Sequence, residues 1–262
     1  MTRQRSEDNR QVLVQRTAAQ AEVLVAELLE SIVCEAVGRR NICHLALAGG
    51  TTPRALYQQL AQRAMTTAVP WHQVEIFFGD ERDVPQDHVE SNYRTVQRTL
   101  LDHVPVDLAR VHPMPADAGD LHAAAAEYEQ TIRAIVPAGD GPAGGIPQFD
   151  LILLGMGGDG HTGSLFACTP KALDERKKLI LVHFVPVLGR SRMTFTFPLI
   201  NAARNTILLI TGGDKADAAA ALLSDDPEAA GRLPARRICP AGGKLIIVLD
   251  AAAARKTGHK PK

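Results

Sequence analysis

Hydrophobic and polar positions in this chain change period repeatedly, and the changes divide it into elements. Short apolar runs at 44–48, 74–78, 149–154, 179–185, 193–197, 206–210 and 244–249 read as strands. Between them, apolar residues recur at helical spacing over 12–37, 55–64, 93–104, 121–136 and 215–223. The alternation predicts an α/β fold: a doubly wound, mostly parallel sheet flanked by helices, three layers deep and Rossmann-like in order. The unbroken apolar run from Leu151 to Leu154 reads as a strand covered on both faces, so the turn after it lies at the carboxyl end of the sheet. The glycine- and proline-rich stretch 137–147 reads as a surface loop within a single domain. After Asp250 the chain turns basic and loses its pattern, so 251–262 is expected to be a frayed tail without function.

Composition changes this picture mainly by exclusion. A chain of 262 residues, 45% hydrophobic but only 4% aromatic, fits an aliphatic, alanine-rich α/β domain with a large core. Basic and acidic residues number 29 each, so no overall field favours nucleic acid or an anionic membrane, and any anion site must be local. No apolar run approaches the roughly 20 residues of a spanning helix, and Met1 to Arg10 is polar, so a cytoplasmic protein is expected. Cys34, Cys43, Cys168 and Cys239 have no Cys-x-x-Cys spacing and read as reduced thiols, giving neither a zinc site nor a disulfide framework.

Three strand ends carry candidate chemistry. After Leu154 comes Gly155-Met-Gly-Gly-Asp-Gly-His-Thr162, where Asp159 and His161 lie two residues apart on a glycine-rich turn and can converge on one small ligand. The spacing of Gly155, Gly157 and Gly160 also satisfies Gly-x-Gly-x-x-Gly. Gly163 and Pro170 interrupt the helix that a dinucleotide site requires, and a charged run stands where a second strand should end, so no NAD site is expected. After the strand at 44–48, Gly49-Gly-Thr-Thr-Pro53 opens a helix. It reads as a phosphate cradle of free amides with Thr52 as N-cap and Pro53 at the first helical position. The P-loop lysine pattern is missing, which argues against a nucleoside triphosphate. After the strand at 74–78, Asp80 or Glu81 can orient a base or a substrate hydroxyl, and Arg82 offers a planar fork for phosphate.

Taken together, Ala48-Gly-Gly-Thr-Thr-Pro53, Gly79-Asp-Glu-Arg82, Ser91-Asn-Tyr-Arg94 and the Asp159-Gly-His161 turn resemble the signatures of the 6-phosphogluconolactonase and glucosamine-6-phosphate isomerase family. They occur in the family's order, and the resemblance runs from about Leu45 to Asp250. Arg192-Met-Thr-Phe-Thr196 and Thr211-Gly-Gly-Asp-Lys-Ala216 are similar to its later strand and sugar-phosphate turn, which implies Arg192 and Lys215 as phosphate contacts. Within the family, the deaminating isomerases resemble Asp-Gly-His followed by Ile-Ala-Phe-Asn-Glu, whose glutamate completes a ring-opening relay. Here Thr162-Gly-Ser-Leu-Phe166 follows, close to the lactonase pattern with Gly163 in place of alanine, and the next carboxylate is Asp174.

The resemblance therefore implies hydrolysis of a small phosphorylated sugar lactone, with no cofactor, no metal, and neither nucleic acid nor membrane as partner. A histidine can take a proton from water and return it to the departing ring oxygen. His161 is expected to do this, with Asp159 fixing its ring and Asp80 assisting at substrate hydroxyls. Gly49, Gly50, Thr51 and Thr52 form the expected cradle, Gly49 and Gly50 amides also being candidates for the oxyanion; Asn92 belongs to the implied binding set, and Arg54, Arg82, Arg192 and Lys215 are its basic candidates. No Gly-x-Ser-x-Gly occurs and Ser164 follows His161 too closely for an esterase triad, so direct hydrolysis is expected. A deaminating isomerase and a non-catalytic sugar-phosphate sensor are the alternatives. The first lacks the glutamate after His161; the second would not keep Asp159 and His161 and would carry a DNA-binding segment.

Overall fold

A computed structural model describes residues 9–140, 144–226 and 233–261. The polar start of the chain at 1–8, positions 141–143 of the expected loop, 227–232 and 262 lie outside the described residues.

The central element is a seven-stranded sheet in which every pairing is parallel. Its strands are β1 (Arg10–Gln15), β2 (Cys43–Leu47), β3 (Val74–Phe78), β5 (Val111–His112), β6 (Leu151–Gly155), β9 (Asn205–Ile210) and β10 (Lys244–Asp250), in the order β1-β10-β9-β6-β2-β3-β5. All residues of β2 and β3 are buried, the polar His44 and Glu75 among them, as expected of strands covered on both faces. The main covering helices are α1 (Ala18–Arg40), α2 (Thr51–Arg63), α3 (Asn92–Thr99), α4 (Leu121–Ile135) and α7 (Ala216–Leu223), with short helices α5 (Pro170–Leu173) and α6 (Phe197–Ile200) in connections. A fork from Arg63 to both carboxylate oxygens of Glu30, at 2.8 to 3.1 Å, ties α2 to α1. Among the described residues, no helix is long and apolar enough to cross a membrane.

Four expectations need correction. The apolar positions from Val12 onward do not all belong to one helix: Arg10–Gln15 is an edge strand paired with β10, and the helix begins after Thr17, whose side chain accepts from the Gln20 amide. The runs at 179–185 and 193–197 form β7 (Ile180–Val185) and β8 (Arg190–Phe195). With β4 (Asp80–Arg82) they form a separate antiparallel three-stranded sheet, in the order β4-β8-β7, and take no part in the parallel one. Helix α2 starts at Thr51 with Gly50 as its N-cap, so Thr52 and Pro53 lie one position or more inside the helix. The expected frayed tail begins with a helix, α8 (Ala251–Ala254), capped by the Asp250 carboxylate on the Ala253 amide and burying Ala253 and Ala254. Of the expected loop, the described residues on either side of 141–143 are joined by a bridge between Ala138 and Pro147.

Candidate active site

Strands β9, β6, β2 and β3 are consecutive neighbours, so the loops leaving their carboxyl ends meet over one edge of the sheet. At the end of β2 the Tyr57 hydroxyl, fully buried, donates to the Ala48 carbonyl at 2.5 Å and holds the start of the glycine turn. Gly50 supplies no side-chain cap to α2, which leaves amides of its first turn available to an anion.

At the end of β3 the two adjacent carboxylates part company. Glu81, 2% exposed, accepts from the Arg82, Asn92 and Tyr93 amides and from the Ser91 hydroxyl at 2.8 to 3.0 Å, which fastens β4 to the start of α3. Asp80 faces the site. Its Oδ2 accepts from Ser164 Oγ at 2.6 Å, its Oδ1 from Asn92 Nδ2 at 3.2 Å, and its carbonyl from the same amide nitrogen at 2.8 Å. The Asn92 amide also occupies the space above Gly49 that a side chain there would need. Burial pushes the Glu81 carboxyl up, against the pull of its amide donors, with neighbouring Asp80 adding to the rise.

The loop after β6 is closed on itself. Gly157 donates to the His161 carbonyl at 2.9 Å, Gly160 to the Gly157 carbonyl at 3.0 Å, and Thr162 Oγ1 to the Gly155 carbonyl at 2.9 Å. Asp159 Oδ1 lies 2.5 Å from His161 Nδ1 and also accepts from the His161 amide at 3.2 Å. That contact assigns the proton to Nδ1 and leaves Nε2 as the free nitrogen. Phe166 stacks on the ring at 4.1 Å between centroids. A Cβ on Gly157 would come within 2.2 Å of the imidazole, so the close approach of backbone to ring requires glycine. Burial pushes the Asp159 carboxyl up, but the charge and hydrogen bonds of His161 outweigh it and hold the group below the ordinary aspartate range.

These loops, with the turn after β9, wall a cleft of about 210 Å³. Its lining includes His161, Asp80 and Asn92, the cradle residues Gly49, Gly50 and Thr52, and the cations Arg82 and Lys215. Lys215 Nζ lies 2.9 Å from Asp214 Oδ2, and Arg82 donates to the Glu90 carbonyl. Asp159 does not line the cleft; it backs His161. Arg192 is not in the lining either. It sits opposite Arg82 in the β4–β8 register, 9% exposed, donating to the Ser191 carbonyl at 2.8 Å, and burial together with Arg82 pushes its guanidinium down. Arg54 is exposed on α2 and stands outside the cleft, and the side chain of Thr51 lies outside what the structure describes. Among the described residues, no group of three or more His, Cys, Asp or Glu side chains could hold a metal ion.

Two participants escaped the sequence reading. Ser164, considered there only as a nucleophile, is the hydroxyl that holds Asp80. His183 on β7 bonds the Ser164 carbonyl at 2.7 Å through Nε2 and pins the His161 loop to the small sheet. The serine follows the Asp-Gly-His turn and was legible as a polar neighbour; nothing in the pattern of β7 distinguishes His183 from a surface residue.

The chain matches the model of the family described as glucosamine-6-phosphate isomerases/6-phosphogluconolactonase over residues 16–247, and it belongs to that family. It is 39% identical over 247 residues to the 6-phosphogluconolactonase of Synechocystis sp. (strain ATCC 27184 / PCC 6803 / Kazusa), covering 94% of each chain. With the 6-phosphogluconolactonase of Mycobacterium tuberculosis it shares 39% identity over 210 residues, 78% of this chain and 83% of the other. Among solved structures it is similar to the 6-phosphogluconolactonase from Trypanosoma cruzi, with a TM-score of 0.82 and 28% identity over 95% of this chain and 97% of that one.

Proposed function

We propose that this chain is a 6-phosphogluconolactonase, opening 6-phospho-D-glucono-1,5-lactone to 6-phospho-D-gluconate in the cytoplasm, with His161 as the base. The observation that carries this reading is the 2.5 Å contact between Asp159 and His161 Nδ1, which leaves Nε2 free in a cleft that also holds Asp80 and two cations. In this reading Nε2 accepts a proton as a water oxygen bonds to the lactone carbonyl carbon, and the carbonyl oxygen becomes an oxyanion. Collapse of that intermediate breaks the bond to the ring oxygen, which takes the proton from the imidazolium as it leaves. Asp159 stabilises the imidazolium between the two transfers. Asp80, held by Ser164 and Asn92, orients substrate hydroxyls. The Gly50–Thr52 turn, Arg82 and Lys215 take the phosphate, whose binding energy positions the ring and favours phosphorylated lactones.

The deaminase alternative is further weakened by Asp174, the first carboxylate after His161. It pairs with Arg237 at 2.7 Å and lies outside the cleft, so it does not supply the missing glutamate of the relay. Product analysis separates the two: the account expects acid release from 6-phosphogluconolactone above the spontaneous rate and no ammonia from glucosamine 6-phosphate. Ammonia release with no excess acid would replace the lactonase by the isomerase.

A further inference from the structure

The carboxylate of Asp250 ends β10, is 5% exposed, and takes no part in the chemistry above. It has two duties. It accepts from the Ala253 amide at 2.8 Å, capping α8, and from the Gly212 amide at 3.1 and 3.2 Å through its two oxygens. Gly212 has φ 99°, and a Cβ there would meet Asp214 Oδ1 at 2.7 Å, so the position is restricted to glycine and has no side chain of its own to anchor it. Its carbonyl in turn accepts from the Lys215 amide at 3.1 Å, closing the 3-10 turn Gly213–Lys215 that delivers Lys215 to the cleft. The residues just after α8 add a second strut from the same side: Arg255 donates to the Gly213 carbonyl at 3.2 Å, and Lys256 pairs with Asp217 on α7 at 2.6 Å. The turn also abuts the base-bearing loop, since a Cβ on Gly158 would lie 3.2 Å from the Asp214 carbonyl. A shift of the turn therefore moves Lys215 relative to His161.

We propose that Asp250, with the tail helix it caps, is a positioning device for Lys215 and so sets affinity for the phosphorylated substrate. This rests on the reading of Lys215 as a phosphate contact. A carboxylate suits the task because Oδ1 accepts from both amides while Oδ2 accepts from Gly212 as well; an asparagine can keep the shared oxygen but loses the second acceptor at Gly212 and the charge. The phosphate group is what the device serves, so its loss spares a lactone without phosphate.

The test is steady-state kinetics of the full chain on 6-phosphogluconolactone and on unphosphorylated glucono-δ-lactone, for wild type, Asp250→Ala, Asp250→Asn, Lys215→Ala and the double alanine variant. Asp250→Ala is expected to raise KM for the phosphorylated lactone about fivefold, the loss of roughly one net hydrogen bond, with kcat changed less. Asp250→Asn should fall between it and wild type, rates on the unphosphorylated lactone should stay level, and the double variant should be no worse than Lys215→Ala. Equal losses on both lactones, or effects of the two alanines that multiply, would overturn the inference. If Lys215→Ala raises KM and neither Asp250 variant does, the positioning role alone fails. If Lys215→Ala leaves KM unchanged, the phosphate reading of Lys215 fails and the device with it. Should Asp250→Ala not fold, Asp250→Asn and Arg255→Ala carry the same comparison, and unchanged KM in both would overturn it.

Discussion

His161 is held from three directions: Asp159 fixes one ring nitrogen, Phe166 covers a face, and the backbone at Gly157 touches the edge. Gly157→Ala should therefore lower kcat by about 100-fold through displacement of the ring, with KM and melting temperature little changed; kinetics beside a thermal melt check it, and an unaffected kcat would deny the close approach. Asp159 gives a pH prediction whose sign follows from its lowered value. A carboxyl whose folded pKa lies below the unfolded one contributes stability above the unfolded value, about 3.9, and loses it as pH falls through the folded one. The stability difference between wild type and Asp159→Asn should be present at neutral pH and disappear in acid; a difference persisting to about pH 2 would contradict the pairing. At this scale much was legible. Asp159 and His161 stand out by type and spacing, whereas Asp80 and Glu81 both follow β3 directly, so residue type alone leaves the choice between them open. Only the fold shows that Glu81 is consumed by the α3 amides.

Elements carried less of their meaning in the sequence. The inner parallel strands β2, β3, β6, β9 and β10 are legible because burial on both faces makes them predominantly apolar, with His44 in β2 and Glu75 in β3 as polar exceptions, and β2 and β3 lie within a residue of expectation. Strand β1 runs into the helical pattern because Val12, Leu13 and Val14 fit either period over so short a span, and the break between strand and helix is marked only by the Thr17 cap. The small sheet was missed as a separate unit because β4 is three polar residues with no period at all. Its edge strand β7 supplies His183, on which burial, with Arg192 opposite in register, pushes the imidazole down despite the Ser164 carbonyl. A folded value below the unfolded one, about 6.5, means that the folded state favours the neutral ring, so stability is full above that pH and is lost as pH falls through it. Wild type should lose melting temperature between pH 7 and pH 5 more steeply than His183→Gln, whose amide keeps a donor to the Ser164 carbonyl. Parallel curves for the two proteins would show that His183 does not set the acid limit.

In the whole molecule, a charge-balanced chain gathers its cations locally. Lys215 after β9 and Arg82 after β3 flank the β6 and β2 loops, so the cleft is cationic at two sides while the overall net charge is zero. This arrangement was foreseeable only in part. Sequence order says which loops share an edge of a parallel sheet, but the strand order that makes β9, β6, β2 and β3 neighbours belongs to the fold, and it brings Lys215 to the cleft; Arg54 follows β2 as directly, but its side chain is exposed on α2 and stands outside. The central claim is that the cleft hydrolyses a phosphorylated lactone by means of His161. Its most direct test is the initial rate of 6-phosphogluconolactone hydrolysis, with the lactone generated in situ, for wild type, His161→Ala and buffer alone. The account predicts a large excess of wild type over buffer, cut by at least about 100-fold in a folded His161→Ala variant. A wild type that merely matches buffer, or a variant as fast as wild type, would contradict it.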